Sequence, residues 1–305
     1  MPDAEARPTA GQVRRLLQEQ LPGGLRGLAG EPVVHAAQGW DNVMFRLGRS
    51  HAVRLPIRCA AVPLLQHEVR WTAEVSAPLA RLGIAAPVPL FCGRPGAGHP
   101  WPWTVVPWIE GEAVATLPVA QRNEIATDLA RALTVLHRPA PPGAPRNPYR
   151  GVPLADRLGL VGPRWPAVER LLGPERAERL HDIVEEGLRA PLWAGPPVWV
   201  HGDPHPWNLV RRGGRLVGLV DFGDVCAGDP ASDLACAWLA LDARQRAAFR
   251  TVVVASGKYD DDVWSRAAAW AALLVSALAA DPASSGRFGA VVEHAAAQLA
   301  APCGT

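Results

Sequence analysis

Lysine is almost missing from this chain of 305 residues: Lys258 is the single one among 31 basic residues, and arginine supplies the rest. The basic residues form no block and the formal net charge is only +2, so nucleic acid is not expected as a partner. Cysteine is sparse too. Cys59, Cys92, Cys226, Cys236 and Cys303 are odd in number and lack C-x-x-C spacing, which argues against a disulfide framework or a zinc knuckle. Met1–Arg7 lacks the charged-then-apolar order of a signal peptide. The longest apolar run, Ala267–Ala280, spans 14 residues after Arg266, which is short for crossing a bilayer. A cytoplasmic chain with no membrane partner is therefore expected. No internal repeat is visible.

What is present describes a soluble globular protein: 49% hydrophobic and 20% charged residues, with length for one two-lobed unit or two domains. Thirty-one prolines and 29 glycines read as a genomic composition bias, not as disorder. The richest cluster, Arg138–Pro148, breaks a helix that ends near His137 and begins a loop. Arg157–Ala190 has helical periodicity, with Val168, Leu171, Leu172, Leu180 and Ile183 on the apolar side, and reads as an amphipathic insert.

The densest chemistry lies in His201-Gly202-Asp203-Pro204-His205-Pro206-Trp207-Asn208 and, after an apolar strand, in Asp221-Phe222-Gly223-Asp224. Moving a phosphoryl group to a hydroxyl needs a carboxylate to orient and deprotonate that hydroxyl. It also needs oxygen ligands that hold magnesium against the nucleotide phosphates. Asp203 suits the first task, and Asn208 and Asp221 the second. Pro204 and Pro206 fix φ and rule out a continuous helix, so a stiff loop is predicted. Arg211–Arg215 reads as a turn and Leu216–Val220 as a short buried strand, a hairpin that returns Asp221 toward Asn208. His201 reads as a buried hydrogen-bonding brace, while His205 has no assigned role.

This ordered set resembles the aminoglycoside phosphotransferase family, relatives of the protein kinases, whose signature is H-R-D…N followed by D-F-G. Gly228-Asp229-Pro230-Ala231-Ser232-Asp233-Leu234-Ala235 continues the likeness, which runs in order from about Gly39 to the C-terminus. The resemblance implies an α+β, two-lobed protein-kinase-like fold. Residues 1–106 would form a small nucleotide-binding lobe with an antiparallel sheet and one main helix, and 107–112 a hinge. Residues 113–305 would form a larger, mostly helical catalytic and substrate-binding lobe. The resemblance further implies Asp203 as catalytic base, Asn208 and Asp221 as magnesium ligands, and Asp229 and Asp233 as structural carboxylates. Asp233 also precedes an apolar helical run, Leu234–Ala240, and so reads as its N-cap.

In the N-terminal half, Val33–Leu47 gives two strand-like stretches around Gly39-Trp40-Asp41-Asn42, where a nucleotide-covering hairpin carrying Asn42 is expected. It lacks G-x-G-x-x-G. His51-Ala52-Val53-Arg54-Leu55-Pro56 stands where kinases place the V-A-I-K strand, with Arg54 in the lysine position. An arginine there stays charged and can fork onto two phosphate oxygens. Glu68, on a helix-like segment, is its expected ion-pair partner. The Pro107 carbonyl and the Ile109 N–H suit the main-chain contacts that kinase hinges make to a purine, and these leave ATP and GTP undistinguished. Trp207 and Asp224 are expected near the acceptor, Trp207 by stacking on a sugar or ring.

The expected activity is magnesium-dependent transfer of the γ-phosphate of ATP or GTP to a hydroxyl of an antibiotic, whether aminoglycoside, macrolide, nucleoside or related, conferring resistance. The small-molecule acceptor is the expected partner, and the chain a monomer or homodimer. Alternatives are a metabolic kinase of the choline, homoserine or sugar type, a metallohydrolase on His201-x-Asp203-x-His205, and a nucleotide-binding pseudoenzyme suggested by Arg54. Residues 1–106 hold 7 acids and 11 bases, and 201–305 hold 11 and 9. The polarity suits phosphates under the first lobe and gives little reason to expect a polycationic acceptor.

Overall fold

The computed structural model describes residues 4–281 and 285–301. Cys303 lies outside them. The fold is α+β, and its backbone contacts divide it into two compact units. The smaller unit reaches to Ala77 and adds Ala85–Glu110 and Val220–Gly223, while the larger holds Pro78–Ile84, Gly111–Leu219 and the chain from Asp224 onward.

The smaller unit is built on strands β1 (Val33–Gln38), β2 (Asn42–Leu47), β3 (His51–Pro56), β4 (Phe91–Gly93) and β5 (Trp103–Pro107), with helices α1 (Ala10–Gln20) and α2 (Val62–Ser76). The sheet is antiparallel throughout, in the order β1-β2-β3-β5-β4. Period-two alternation sends Val43, Phe45 and Leu47 of β2 inward. There they meet Val13, Leu16 and Leu17 of α1 in one apolar cluster with Val53, Leu55 and Trp103. The sequence suggested one main helix for this lobe, and α1 is a second. It starts with a reciprocal capping box, Thr9 with Gln12, which satisfies backbone donors at its first turn.

The larger unit carries β6 (Glu112–Ala113), β7 (Val198–Val200), β8 (Leu209–Arg212), β9 (Arg215–Leu219) and β10 (Cys226–Gly228). Its helices are α3 (Val119–Arg122), α4 (Ala126–Leu136), α5 (Leu158–Val161), α6 (Trp165–Leu172), α7 (Pro174–Arg189), α8 (Ala231–Leu234), α9 (Cys236–Ala240), α10 (Ala243–Ala255), α11 (Val263–Ala280) and α12 (Ser285–Ala300). β8 and β9 form the expected hairpin, with Leu209 opposite Leu219. Helix α11 is central, packed against α7, α8 and α12. It approaches α7 closely at Gly187, where a Cβ would lie 2.3 Å from the Ala269 Cβ.

Two sequence expectations change here. The insert is not continuous: Gly173, at φ +84, separates α6 from α7, and Leu171 is 54% exposed, off the apolar side. Helix α11 is 18 residues, longer than its apolar run, so length and composition alone would let it cross a bilayer. Its packing is what argues for a core helix, since more than half of it is buried in the fold. In the loop before α11, Asp261 is exposed and Asp260 is drawn into the fold. Arg266, 2% exposed, donates to Asp260 Oδ2 and Asp229 Oδ2 at 2.8 Å each and to the Pro191 carbonyl at 2.8 Å, so these acids neutralise a buried cation.

Candidate active site

In the larger unit, β7 runs out into His201-Gly202-Asp203. Gly202 has φ +88, and a Cβ there would stand 2.4 Å from the Asp224 carbonyl oxygen, so only glycine fits both the turn and the approach. The fully buried Asp233 anchors this turn from below. Its Oδ2 accepts the His201 N–H at 2.7 Å, its Oδ1 accepts the Gly202 N–H at 2.9 Å, and His137 Nε2 lies 3.1 Å from Oδ2. Asp233 is therefore not an N-cap. It sits inside α8, whose N-cap residue is Pro230, and its carboxylate serves a distant loop. Asp229 Oδ1 accepts the Ala231 N–H at 2.9 Å and its Oδ2 accepts Arg266. Burial raises the Asp229 pKa, opposed by the Arg266 charge.

His201 is fully buried, and its Nδ1 accepts the Asp203 N–H at 3.3 Å. The Asp203 carbonyl accepts the Asn208 Nδ2–H at 2.9 Å, which closes the loop on itself. Pro206–Asn208 forms a short 3-10 turn, as two prolines in five residues demand. The Asp203 carboxylate, 22% exposed, is gripped on both oxygens: Arg150 Nη2 lies 3.2 Å from Oδ1 and His205 Nε2 3.3 Å from Oδ2. His205 Nδ1 accepts the Trp207 N–H at 3.2 Å, so in the neutral ring Nε2 bears the proton that faces Asp203. Arg150 also lies 3.9 Å from Asp224 Oδ2, and Asp224 Oδ1 accepts Asn147 Nδ2 at 2.8 Å. Burial disfavours the Arg150 charge, but Asp203 and Asp224 outweigh it and raise its pKa. Trp207 donates its indole N–H to the Arg287 carbonyl at 3.2 Å, and the Arg287 guanidinium covers one ring face at 4.5 Å.

In the smaller unit, Arg54 of β3 spends all five of its N–H donors. Nη1 pairs with both Glu68 oxygens, Nη2 reaches Asp221 Oδ1 at 3.1 Å, and Nε and Nη2 meet the Asn42 side-chain oxygen at 3.2 and 2.9 Å with its amide oriented by this network. The guanidinium fork thus closes on Glu68 in α2. Burial pushes the Glu68 pKa up, against the pull of Arg54. The Asp221-Phe222-Gly223 segment lies on α2: His67 Nδ1 meets the Gly223 carbonyl at 2.8 Å, and the Phe222 N–H serves Glu68. Asp221 has φ +68, a left-handed conformation that aspartate tolerates better than most side chains. At the end of β5, Trp108 N–H donates to the Ser50 carbonyl at 2.8 Å. Antiparallel alternation then turns the Pro107 carbonyl to the β4 side of the strand, past the last β4-side bond, Leu90 N–H to Val105 O at 2.8 Å. Ile109 follows outside regular structure.

The sequence model of the phosphotransferase enzyme family matches residues 33–270, most of the chain and both groups of residues described above. The chain belongs to this family. A kinase acting on a hydroxyl is the enzyme class that membership gives it. No curated protein matches the sequence. The phosphotransferase fold is shared with solved structures at low identity. A GDP complex of aminoglycoside 2'-phosphotransferase-IIIa is 18% identical, with TM-score 0.67, over 95% of this chain and 99% of that one. Aminoglycoside phosphotransferase APH(3'')-Id from Streptomyces rimosus is 21% identical, with TM-score 0.54, over 86% and 96%. Macrolide 2'-phosphotransferase MphH from Brachybacterium faecium is 18% identical, with TM-score 0.53, over 90% and 93%.

Of the predicted site residues of this phosphotransferase, the structure gathers Asn42, Arg54, Glu68 and Asp221 within the smaller unit. His201, Asp203, Asn208, Asp224 and Asp233 gather in the larger one. Asp229 joins Arg266 instead. Sequence reasoning missed Arg150, Asn147, His137 and the contact of His205 with Asp203. Neither of the first two carried a signal of its own: Asn147 lies inside the proline-rich cluster and Arg150 just past it, where the two backbones form a bridge.

Proposed function

We propose that the chain transfers the γ-phosphate of magnesium-bound ATP or GTP to a hydroxyl of a small molecule of the antibiotic kind, with Asp203 as the general base. The observation that carries this is the two-sided grip on Asp203. With Arg150 on one oxygen and His205 on the other, its carboxylate is held in one plane while still 22% exposed, as a base that must meet an incoming hydroxyl requires. Asn208 and Asp221 suit magnesium by donor chemistry. The Asn208 amide nitrogen is committed to the Asp203 carbonyl, which directs its oxygen elsewhere, and the Asp221 carboxylate is half exposed. An amide oxygen and a carboxylate are hard donors of the kind magnesium shares with nucleotide phosphates, and the ion would neutralise charge on the transferring group.

Arg54 and Glu68 brace the nucleotide side, and Pro107 and Ile109 offer main-chain groups to a purine. Solved neighbours hold GDP, ATP or ADP, which supports a nucleotide cosubstrate. Others hold kanamycin or gentamicin, which supports an antibiotic acceptor and with it a role in resistance. The acceptor is tested by incubating the protein with magnesium, ATP or GTP and a panel of antibiotics and small alcohols, reading product by mass. Gain of one phosphoryl group on a panel antibiotic is expected. Product only from choline, homoserine or a sugar would move the function to metabolism.

A further inference from the structure

Arg157 closes the short 3-10 turn Leu154–Arg157 of the larger unit. It is only 8% exposed, yet its Nε is buried without a hydrogen-bond partner, and among the described residues no carboxylate pairs with its guanidinium. Its surroundings are aromatic and positive. The guanidinium lies over the Tyr149 ring at 5.0 Å. Burial, then the charges of Arg150 and Arg164, lower its pKa. Arg150 likewise has a buried, unpartnered Nε, while its Nη2 is the group that grips Asp203 at 3.2 Å. The acids nearby are already engaged, Asp203 by Arg150 and His205 and Asp224 by Asn147 and Arg150.

A guanidinium largely withdrawn from water, its Nε enclosed and no counter-ion beside it, is unfavourable, and the charges of Arg150 and Arg164 make it more so. A ligand that brings the missing negative charge removes that penalty. We propose that Arg157, with Arg150 and Arg164, forms an anion-binding subsite beside Asp203, and that the hydroxyl acceptor carries a carboxylate, phosphate or sulfate group held there. This rests on the transferase reading above and narrows it. A guanidinium fork matches the paired oxygens of such groups, and Arg157, which has no carboxylate partner among the described residues, disfavours a cationic group at the same spot. Arg150 then links the two ends of the acceptor, since one side chain borders the anion and orients the base.

The test is calorimetric titration of inorganic sulfate, and separately of kanamycin, into the whole protein saturated with magnesium and ADP. Sulfate is expected to bind the wild type more tightly than kanamycin. Arg157→Gln should weaken sulfate about tenfold or more, and Arg157→Lys should restore much of the affinity because charge is kept. Should Arg157→Gln not fold, as judged by circular dichroism, Arg164→Gln serves in its place with an expected loss of about threefold. Equal sulfate affinity in wild type and variant, no sulfate binding by the wild type, or tighter kanamycin binding would each overturn the proposal. Failure of the transferase reading is separable: ADP would not bind, while sulfate titrated without nucleotide would still report on Arg157.

Discussion

Asp203→Asn is expected to lower phosphate transfer by about 10²–10⁴-fold and to leave nucleotide affinity within about twofold, the signature of a lost general base. The amide keeps the shape of the carboxylate but cannot take the acceptor proton. It also presents an N–H to one of two donors, Arg150 or His205, so one side of the grip fails. The Asp203 side chain pairs with Arg150 and His205, while Arg54, Glu68 and Asp221 pair among themselves, so nucleotide binding has no reason to follow. Steady-state kcat on an accepted substrate, set beside a calorimetric Kd for the nucleotide, separates the two. Unchanged kcat would remove Asp203 from the mechanism.

Asp233→Ala should be the most damaging change to stability, by about 3–5 kcal/mol, because it strips acceptors from buried donors all at once. The His201 and Gly202 N–H groups and His137 Nε2 all point at this fully buried carboxylate. Water cannot replace it. The expected result is a lower denaturant midpoint together with reduced turnover, since the turn that presents Asp203 hangs from the same oxygens. Asp233→Asn retains one acceptor oxygen and should fall between the two. A change in stability within about 0.5 kcal/mol, as at an ordinary surface site, would show that Asp233 does not hold the turn.

What the sequence made legible was whatever local chemistry dictates. Alternation and turn residues located the β1–β2 and β8–β9 hairpins, and the two prolines predicted a stiff loop in place of a continuous helix. Where a residue acts over distance, local rules misled. Asp233 stands before an apolar run as an N-cap would, but the strongest demand on it comes from His201 and Gly202, 31 or 32 positions away. Arg266 interrupts an apolar run and so hid the true start of α11, because nothing local reveals that Asp229 and Asp260 neutralise it. Arg150 carried no signal at all. Its importance comes from lying against Asp203, 53 positions on, and that neighbourhood exists only in the folded chain.

The account rests on a magnesium nucleotide as phosphoryl donor, and a calorimetric titration of a nonhydrolysable ATP or GTP analogue with and without magnesium tests it most directly. Saturable binding that tightens with magnesium, and that weakens about tenfold or more in Asp221→Ala as a charged ligand is lost, is the predicted result. A wild-type protein that binds neither analogue and holds zinc tightly would contradict it.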